Sequence, residues 1–321
     1  MQEKQKILAV VGPTASGKTS LAIALARAYG GEVISCDSMQ IYRDMDIGTA
    51  KPTAAEQAAV PHHLIDILEP DEPFSVMDYV EAASAAIDDV TSRGKLPVLC
   101  GGTGLYLDAL LRGGLPDTPA ADEALRAELY AIADECGADY LHAELAAVDP
   151  ESAAATHANN VRRVVRALEI YRATGIPKSE WDRRSQTLPA RYNAAVIGLT
   201  FTDRALLYAR IEQRVDAMLD EGLLAETEAL RAKDVFLRSP TAAAAIGYKE
   251  LLPYLEGSCT LEEAVAELKT ATRRYAKRQL TWFSAKPYVH WICADDENGM
   301  RKSEEIVNNA LGIAESAWNM L

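Results

Sequence analysis

Short apolar runs recur in the first hundred residues and return after residue 193. They lie at 7–11, 32–36, 62–67, 97–101 and 194–200, with a sixth candidate at 288–293. Most are rich in β-branched residues and do not alternate with polar ones, which is the pattern of strands covered on both faces. Between several of them, at 18–29, 76–92 and 104–111, apolar positions recur at helical spacing. Strands alternating with such segments predict a mostly parallel sheet with helices packed over it. After "LRGGLPDTPAAD" the pattern changes. Residues 121–135, 138–147, 150–156 and 159–174 read as successive helices without a strand, until the sheet pattern resumes at Ala194. The expected organisation is an α/β core over 1–115 and 193–321, interrupted by an all-helical insertion over 116–192. The Gly/Pro-rich 113–119 and the Leu188-Pro189 region are its expected necks. Beyond residue 203 the chain is mainly helical, with 204–233 and 260–284 the longest stretches.

The first strand–helix junction carries chemistry. "GPTASGKT", residues 12–19, fits G-x-x-x-x-G-K-[ST], a loop that wraps a chain of phosphates. Gly12 and Gly17 let the backbone approach an anion, Pro13, Thr14, Ala15 and Ser16 form the turn, and a helix begins near Gly17. The unpaired N–H groups at that helix start, and its partial positive charge, meet phosphate oxygens. Lys18 adds a point charge and the Thr19 hydroxyl suits Mg²⁺. The core is therefore read as a P-loop fold that binds a diphosphate or triphosphate. The second strand ends "VISCDSMQIYRDMDIGTAKP", and ligands of open α/β sheets bind beyond the carboxyl ends of the strands. Asp37 is expected there, close to the phosphate loop, where a carboxylate can ligate Mg²⁺ or act as a general base. A further strand ends "PVLCGGTGLYLDALL", placing Thr103 at the same rim.

Charge refines the picture. The 321 residues carry a formal net charge of −14, which argues against indiscriminate nucleic-acid binding. The charge is uneven: residues 54–90 hold nine acids and no Lys or Arg, whereas 157–191 hold eight Lys/Arg against three acids and 269–286 hold six against none. Two basic islands on an acidic protein can bind a polyanion at a defined place. No apolar stretch approaches membrane-spanning length, and the first apolar run is only a strand long, unlike a secretory signal. Five scattered cysteines without a C-x-x-C pair predict reduced thiols in the cytoplasm and no structural zinc. The five histidines show no metal-ligand spacing, and His62-His63 is read as structural.

These residues admit a P-loop small-molecule kinase with Asp37 activating a hydroxyl, or a nucleotide-dependent RNA-binding switch. The order of the longer motifs favours another reading. GPTASGKT, "ISCDSMQIYRDMDIGTAKP", "GGTGLYLDALL", "RRVVRALEIYRATG", "RIEQRVDAML", "AIGYKE" and "AKRQLTWF" together resemble the tRNA dimethylallyltransferases, from Ile7 to about Trp291. One departure is "NNVRRVVR", where family members often have Asn-Asp first and Gln at the place of Arg162.

The resemblance implies that the loop holds dimethylallyl diphosphate with Mg²⁺ rather than ATP. It implies transfer of the five-carbon group to N6 of the adenosine just 3′ of the anticodon, flipped into a channel through the core. Asp37 then matches the base; Lys18, Thr19 and the backbone of 14–19 match the diphosphate donors; Arg214, in RIEQR, matches an arginine at the diphosphate. Asp37, Ser38, Met39, Gln40 and Thr103 match contacts to the flipped base and its neighbours. Arg126, Arg162, Arg163 and Arg166 match contacts of the insertion with the tRNA anticodon stem-loop. Gly247, Tyr248, Lys249, Lys277, Arg278, Gln279 and Trp282 match the other side of the RNA path. The partners implied are tRNA and dimethylallyl diphosphate, with no membrane, and a monomer is expected.

Overall fold

The computed structural model of the protein describes residues 4–112, 122–187 and 190–319. It contains two compact units, one made of Met1–Leu111 and Arg191–Leu321, the other of Arg112–Ala190. The expected neck at 113–119 and the Leu188-Pro189 pair lie outside the described residues.

The first unit opens with β1 (Lys6–Val11), α1 (Lys18–Tyr29), β2 (Glu32–Ser35), α2 (Ala54–Ala59), β3 (His62–His63), α3 (Val76–Ser92), β4 (Pro97–Cys100) and α4 (Gly104–Leu111). The second unit follows as α5 (Glu123–Cys136), α6 (Ala138–Val148), α7 (Pro150–Ala154), α8 (Val161–Thr174) and α9 (Lys178–Thr187). The chain then returns as β5 (Asn193–Thr200), α10 (Arg204–Asp220), α11 (Leu223–Ala232), α12 (Val235–Arg238), α13 (Pro240–Ala243), α14 (Leu252–Leu255), α15 (Leu261–Ser284), β6 (Val289–Cys293), a two-stranded β7–β8 (Asp295–Asp296, Gly299–Met300) and α16 (Ser303–Asn319).

Six strands form one sheet in the order β3-β2-β4-β1-β5-β6, and every pair in it is parallel. β1 is central, so the loop that leaves its carboxyl end is flanked by the loops after β4 and β5. Leu8 and Val10 on β1 and Val33 and Val98 beside them pack with Leu21, Leu25 and Ala26 of α1 and with Ala310, Ala314 and Ala317 of α16. A second cluster joins Ile41, Tyr42 and Met45 to Val215, Leu223, Tyr248, Leu251 and Leu268. It fixes the segment after β2 against the helices that follow β5. The helical unit has its own core of Leu129, Leu141, Leu145, Val164, Val165 and Leu168.

Local chemistry explains the boundaries. α2, α3 and α15 each start with a reciprocal capping box: Thr53 with Glu56, Ser75 with Asp78, Thr260 with Glu263. α1 ends at Gly30 in the left-handed conformation.

Several expectations need correction. The strand expected over 62–67 keeps only His62–His63, because Leu64 (φ 60°) and Asp66 (φ 55°) take left-handed backbone and turn the chain away from β2. The helix expected over 204–233 is divided at Gly222, whose φ of 105° ends α10 and starts α11. The helix expected from 159 begins at Val161 after Asn160. α9 and α16 have no counterpart among the expected elements, although Ala310, Ala314 and Ala317 give α16 a small-residue stripe at helical spacing. The sixth strand is present, at the edge of the sheet.

Candidate active site

The loop between β1 and α1 is held from several sides. Gly12 runs at φ 137°, and a Cβ there would lie 2.6 Å from the Leu199 carbonyl oxygen. Ala15 adopts φ 62°, an unfavourable region for a residue with a side chain. Its carbonyl accepts a hydrogen bond from Arg210 Nε at 2.9 Å, which helps hold it there. The Lys18 Nζ donates to the Pro13 carbonyl at 3.1 Å, and Arg214 reaches the Thr14 hydroxyl at 3.5 Å. The Ser16 hydroxyl is buried and has no protein partner. An orphaned hydroxyl in a loop that carries backbone N–H groups, with Lys18 at its end and Arg214 reaching in from α10, fits a bound polyphosphate. A cleft of about 770 Å³ opens over this loop, lined by Ser16, Gly17, Lys18, Thr19 and Arg214 among others. Asp46, Lys51, Glu56 and Glu221 form its acidic and basic rim.

Asp37 follows β2 and does not line that cleft; it is linked to it through charge. Burial pushes its carboxyl up, while the Met39 N–H at 2.9 Å, the Lys18 ammonium and the Gln40 backbone pull it back. Burial likewise pushes the Lys18 ammonium down, the neighbouring Arg214 adds to this, and Cys100 and Asp37 oppose it. Arg214 is held below its ordinary value by burial and by Arg210. A partly buried carboxylate, ammonium and guanidinium therefore share one field at the head of the sheet. Beneath them, burial pushes the Cys36 thiol up to about 12 and the Cys100 thiol up to about 11, so neither is a nucleophile near neutral pH. Thr103 ties the loops together: its hydroxyl accepts the Ser38 N–H at 3.1 Å, and its own N–H donates to the Cys36 carbonyl at 3.2 Å.

The sequence profile of the IPP transferase family matches residues 40–286, and that of the isopentenyl transferases matches 5–66. The tRNA dimethylallyltransferase of Geobacillus thermodenitrificans is 52% identical over 309 residues, covering 96% of this chain and 97% of the relative. That of Bacillus subtilis is 49% identical over 313 residues, 97% of this chain and 98% of the relative. The chain belongs to the tRNA dimethylallyltransferase family. Among solved structures, the tRNA isopentenylpyrophosphate transferase of Bacillus halodurans superposes with a TM-score of 0.71 at 47% identity, covering 99% of both chains. A eukaryotic dimethylallyltransferase acting on tRNA gives 0.76 at 31% identity, over 92% of this chain and 75% of that one.

Family membership decides against the small-molecule kinase and the switch. The structure sorts the residues that the family resemblance singles out. Gly12 to Thr19, Asp37, Ser38 and Thr103 gather at the carboxyl ends of β1, β2 and β4, and Arg214 joins them from α10. Met39 and Gln40 are half-buried, and the Gln40 amide is engaged with Ser35, Thr49 and Ala50. Lys277 and Arg278 are exposed on α15, with Arg278 over the Tyr275 ring. Trp282 is 36% exposed and lies against Gly104, with the Lys286 ammonium 5.1 Å from its ring centre. Arg162 and Arg163 are exposed on α8.

Other expected RNA contacts are placed differently. Tyr248 is fully buried and its hydroxyl donates to Glu226 at 2.7 Å, so it is a core residue. Gly247, at φ 108°, is a turn residue whose N–H is taken by Glu250, whereas Lys249 between them remains exposed, 3.5 Å from the same carboxyl group. Arg126 and Arg166 both bind the fully buried Glu169, at 3.1 and 2.8 Å. Burial tends to raise the Glu169 carboxyl, but Arg166, the Asp122 N–H and Arg126 outweigh it and hold it low. Both arginines remain about a third exposed, with one end of each anchored on the buried Glu169.

Sequence reasoning passed over Arg210 and Glu226. Glu226 accepts the N–H groups of Asp46, Ile47 and Gly48 and so fixes the segment that rims the cleft. Arg210 stands one helical turn before Arg214, the first and last residues of RIEQR, but its carbonyl partner is visible only in three dimensions.

Proposed function

We propose that the chain transfers the dimethylallyl group from dimethylallyl diphosphate to N6 of the adenosine 3′-adjacent to the anticodon in tRNA, releasing diphosphate. The observation that supports this most is the shared field of Asp37, Lys18 and Arg214: a basic carboxylate beside a phosphate-wrapping loop. In the reaction, the N6 lone pair bonds to C1 of the dimethylallyl group, the C1–O bond to diphosphate breaks, and one N6 proton leaves. An amine conjugated with the purine ring is a weak nucleophile, so a base that takes the proton as the C–N bond forms lowers the barrier. Asp37 is that base, and a carboxyl group raised by burial holds a proton better than a solvated one.

The departing diphosphate gains negative charge, and donors already aimed at it stabilise that change without reorganising. Lys18, Arg214, the Ser16 hydroxyl and the loop amides after Thr14 take this role. Thr19 would hold Mg²⁺ together with the diphosphate oxygens, and the ion would supply charge neutralisation of the leaving group. Ser38, Met39, Gln40 and Thr103 shape the edge where the flipped base sits. Arg162 and Arg163 of the helical unit, with Lys249, Lys277 and Arg278 of the core, meet the anticodon stem-loop, and Trp282 offers a face for stacking. No helix of the described residues is long and apolar enough to cross a membrane. The chain is proposed to act as a cytoplasmic monomer.

Mass spectrometry of tRNA nucleosides tests the proposal. After incubation with dimethylallyl diphosphate and Mg²⁺, the adenosine 3′ of the anticodon should gain one five-carbon unit. Unmodified tRNA under conditions where the protein binds both substrates would reject it.

A further inference from the structure

Gln279, expected among the RNA contacts, has both ends of its side chain committed elsewhere. It is 5% exposed. Its Oε1 accepts the Thr14 N–H at 2.8 Å, and its Nε2 donates to the Gly102 carbonyl at 3.2 Å. A Cβ at position 102 would lie 1.9 Å from that nitrogen, so only glycine leaves room for the amide. Thr14 belongs to the loop after β1 that wraps phosphates. Gly102 belongs to the loop after β4 and precedes Thr103, which holds the Ser38 N–H beside Asp37. The backbones of these loops are still joined at the Gly101 N–H to the Val10 carbonyl, 3.2 Å. Beyond that point the Gln279 amide spans from one to the other.

We infer that Gln279 is a positioning residue for prenyl transfer, a single buried carboxamide that sets the separation between the diphosphate loop and the acceptor-base rim. The inference rests on the function proposed above. Displacement at C1 needs N6, C1 and the leaving oxygen in line. The leaving oxygen is placed by residues 12–19 and N6 by Asp37, Ser38 and Thr103, so the relative position of the two loops is part of the reaction coordinate. A misplacement of about 1 Å at such a site costs on the order of 10²-fold in rate. The bond to Thr14 has a second consequence. That N–H is used within the protein, so the donors that face diphosphate begin after it.

The test compares wild type with two variants. Gln279→Met keeps the length of the side chain and loses both bonds. Gln279→Glu keeps an oxygen to accept from Thr14, but its carboxylate cannot donate to Gly102 unless it is protonated. Single-turnover transfer at saturating substrates should fall about 10²-fold in Gln279→Met. The affinities for diphosphate with Mg²⁺ and for an anticodon stem-loop, measured separately, should be little changed. In Gln279→Glu the deficit relative to wild type should shrink as the pH falls, because protonation restores the donor; a residue that only fills space would show no such trend. The Thr14 amide should exchange with solvent faster in Gln279→Met. An unchanged single-turnover rate in Gln279→Met, or a rate loss matched by an equal loss of diphosphate affinity, overturns the inference. If Gln279→Met does not fold, a pH-independent deficit in Gln279→Glu overturns it instead. A wild-type protein that transfers nothing rejects the proposed function itself, a failure recognisable because no variant is involved.

Discussion

As the proposed base, Asp37 would accept a proton in a place that already favours its neutral form. Its folded pKa lies above the unfolded value, chiefly through burial. Such a group contributes stability below its unfolded pKa, and the contribution is lost as the pH rises through the folded pKa. At neutral pH, therefore, the ionised Asp37 costs the fold something, the state its proposed role requires. Asp37→Asn should lower single-turnover transfer by roughly 10²–10⁴-fold, the usual contribution of a positioned base. The same variant should bind both substrates and melt at or above the wild-type Tm at pH 7. The wild-type rate should rise with pH along a limb whose midpoint lies above about 4, the ordinary aspartate value. A variant with the wild-type rate, or one that melts well below wild type, would remove Asp37 from this role. Dimethylallyl diphosphate with Mg²⁺ should raise the Tm of wild type by binding the native state, and Lys18→Ala should lose most of that rise. Equal protection of both proteins would mean the ligand sits elsewhere.

At the scale of elements, α8 shows how far a charge pattern can be read. The basic island at 157–191 is visible in the sequence, but which of its arginines face solvent depends on what lies beneath them. Arg162 and Arg163 are exposed, whereas Arg166 shares the buried Glu169 with Arg126. Replacing Arg162 and Arg163 with Gln should weaken tRNA binding and flatten its log–log salt dependence by roughly 0.7–0.9 per lost phosphate contact. Arg166→Gln should instead lower the melting temperature of the helical unit, by breaking an ion pair to a buried carboxylate. An unaltered salt slope in the double variant would make those two arginines ordinary surface charge.

The same contrast recurs in the core. The parallel sheet, the phosphate loop and Asp37 are legible in the sequence because each rests on local pattern: apolar runs, a glycine spacing, an acid at a strand end. What the sequence hides needs long-range partners. Gln279 and Thr14 are 265 residues apart, and Tyr248 reads as part of an RNA-facing motif until Glu226 is seen to hold its hydroxyl. The strand at 62–67 fails for a different reason: apolar residues continue through it, but the backbone at Leu64 and Asp66 does not stay extended.

Across the whole molecule, the sheet end away from the site is fastened by one buried acid. Glu32 on β2 binds Arg93 through both oxygens, Lys95 at 2.7 Å and His63 of β3 at 2.7 Å, with its side chain 3% exposed. The Arg93 guanidinium, then Lys95 and His63, hold its carboxyl far below the usual glutamate range, against the opposing effect of burial. A depressed pKa gives stability that is present above the unfolded value and lost as the pH falls through the folded one. Glu32→Gln should thus cost about 1.5–3 kcal/mol, the worth of hydrogen bonds to a charged group. Denaturant titration at pH 7 should show the loss, and the gap to wild type should narrow only in strong acid. Transfer activity should survive, since Glu32 lies at the amino end of its strand; a stable but inactive variant would contradict that separation.

One proposed site joins a diphosphate-wrapping loop to a base that deprotonates an adenine amine. Isotope-labelled dimethylallyl diphosphate, offered with Mg²⁺ to two anticodon stem-loops that differ only in the base 3′ of the anticodon, puts both halves of that site to work in one measurement. The label should pass to the stem-loop with adenosine there and not to the one with guanosine, with one diphosphate released for each group transferred. Label on both stem-loops, or release of diphosphate without label on either, would contradict it.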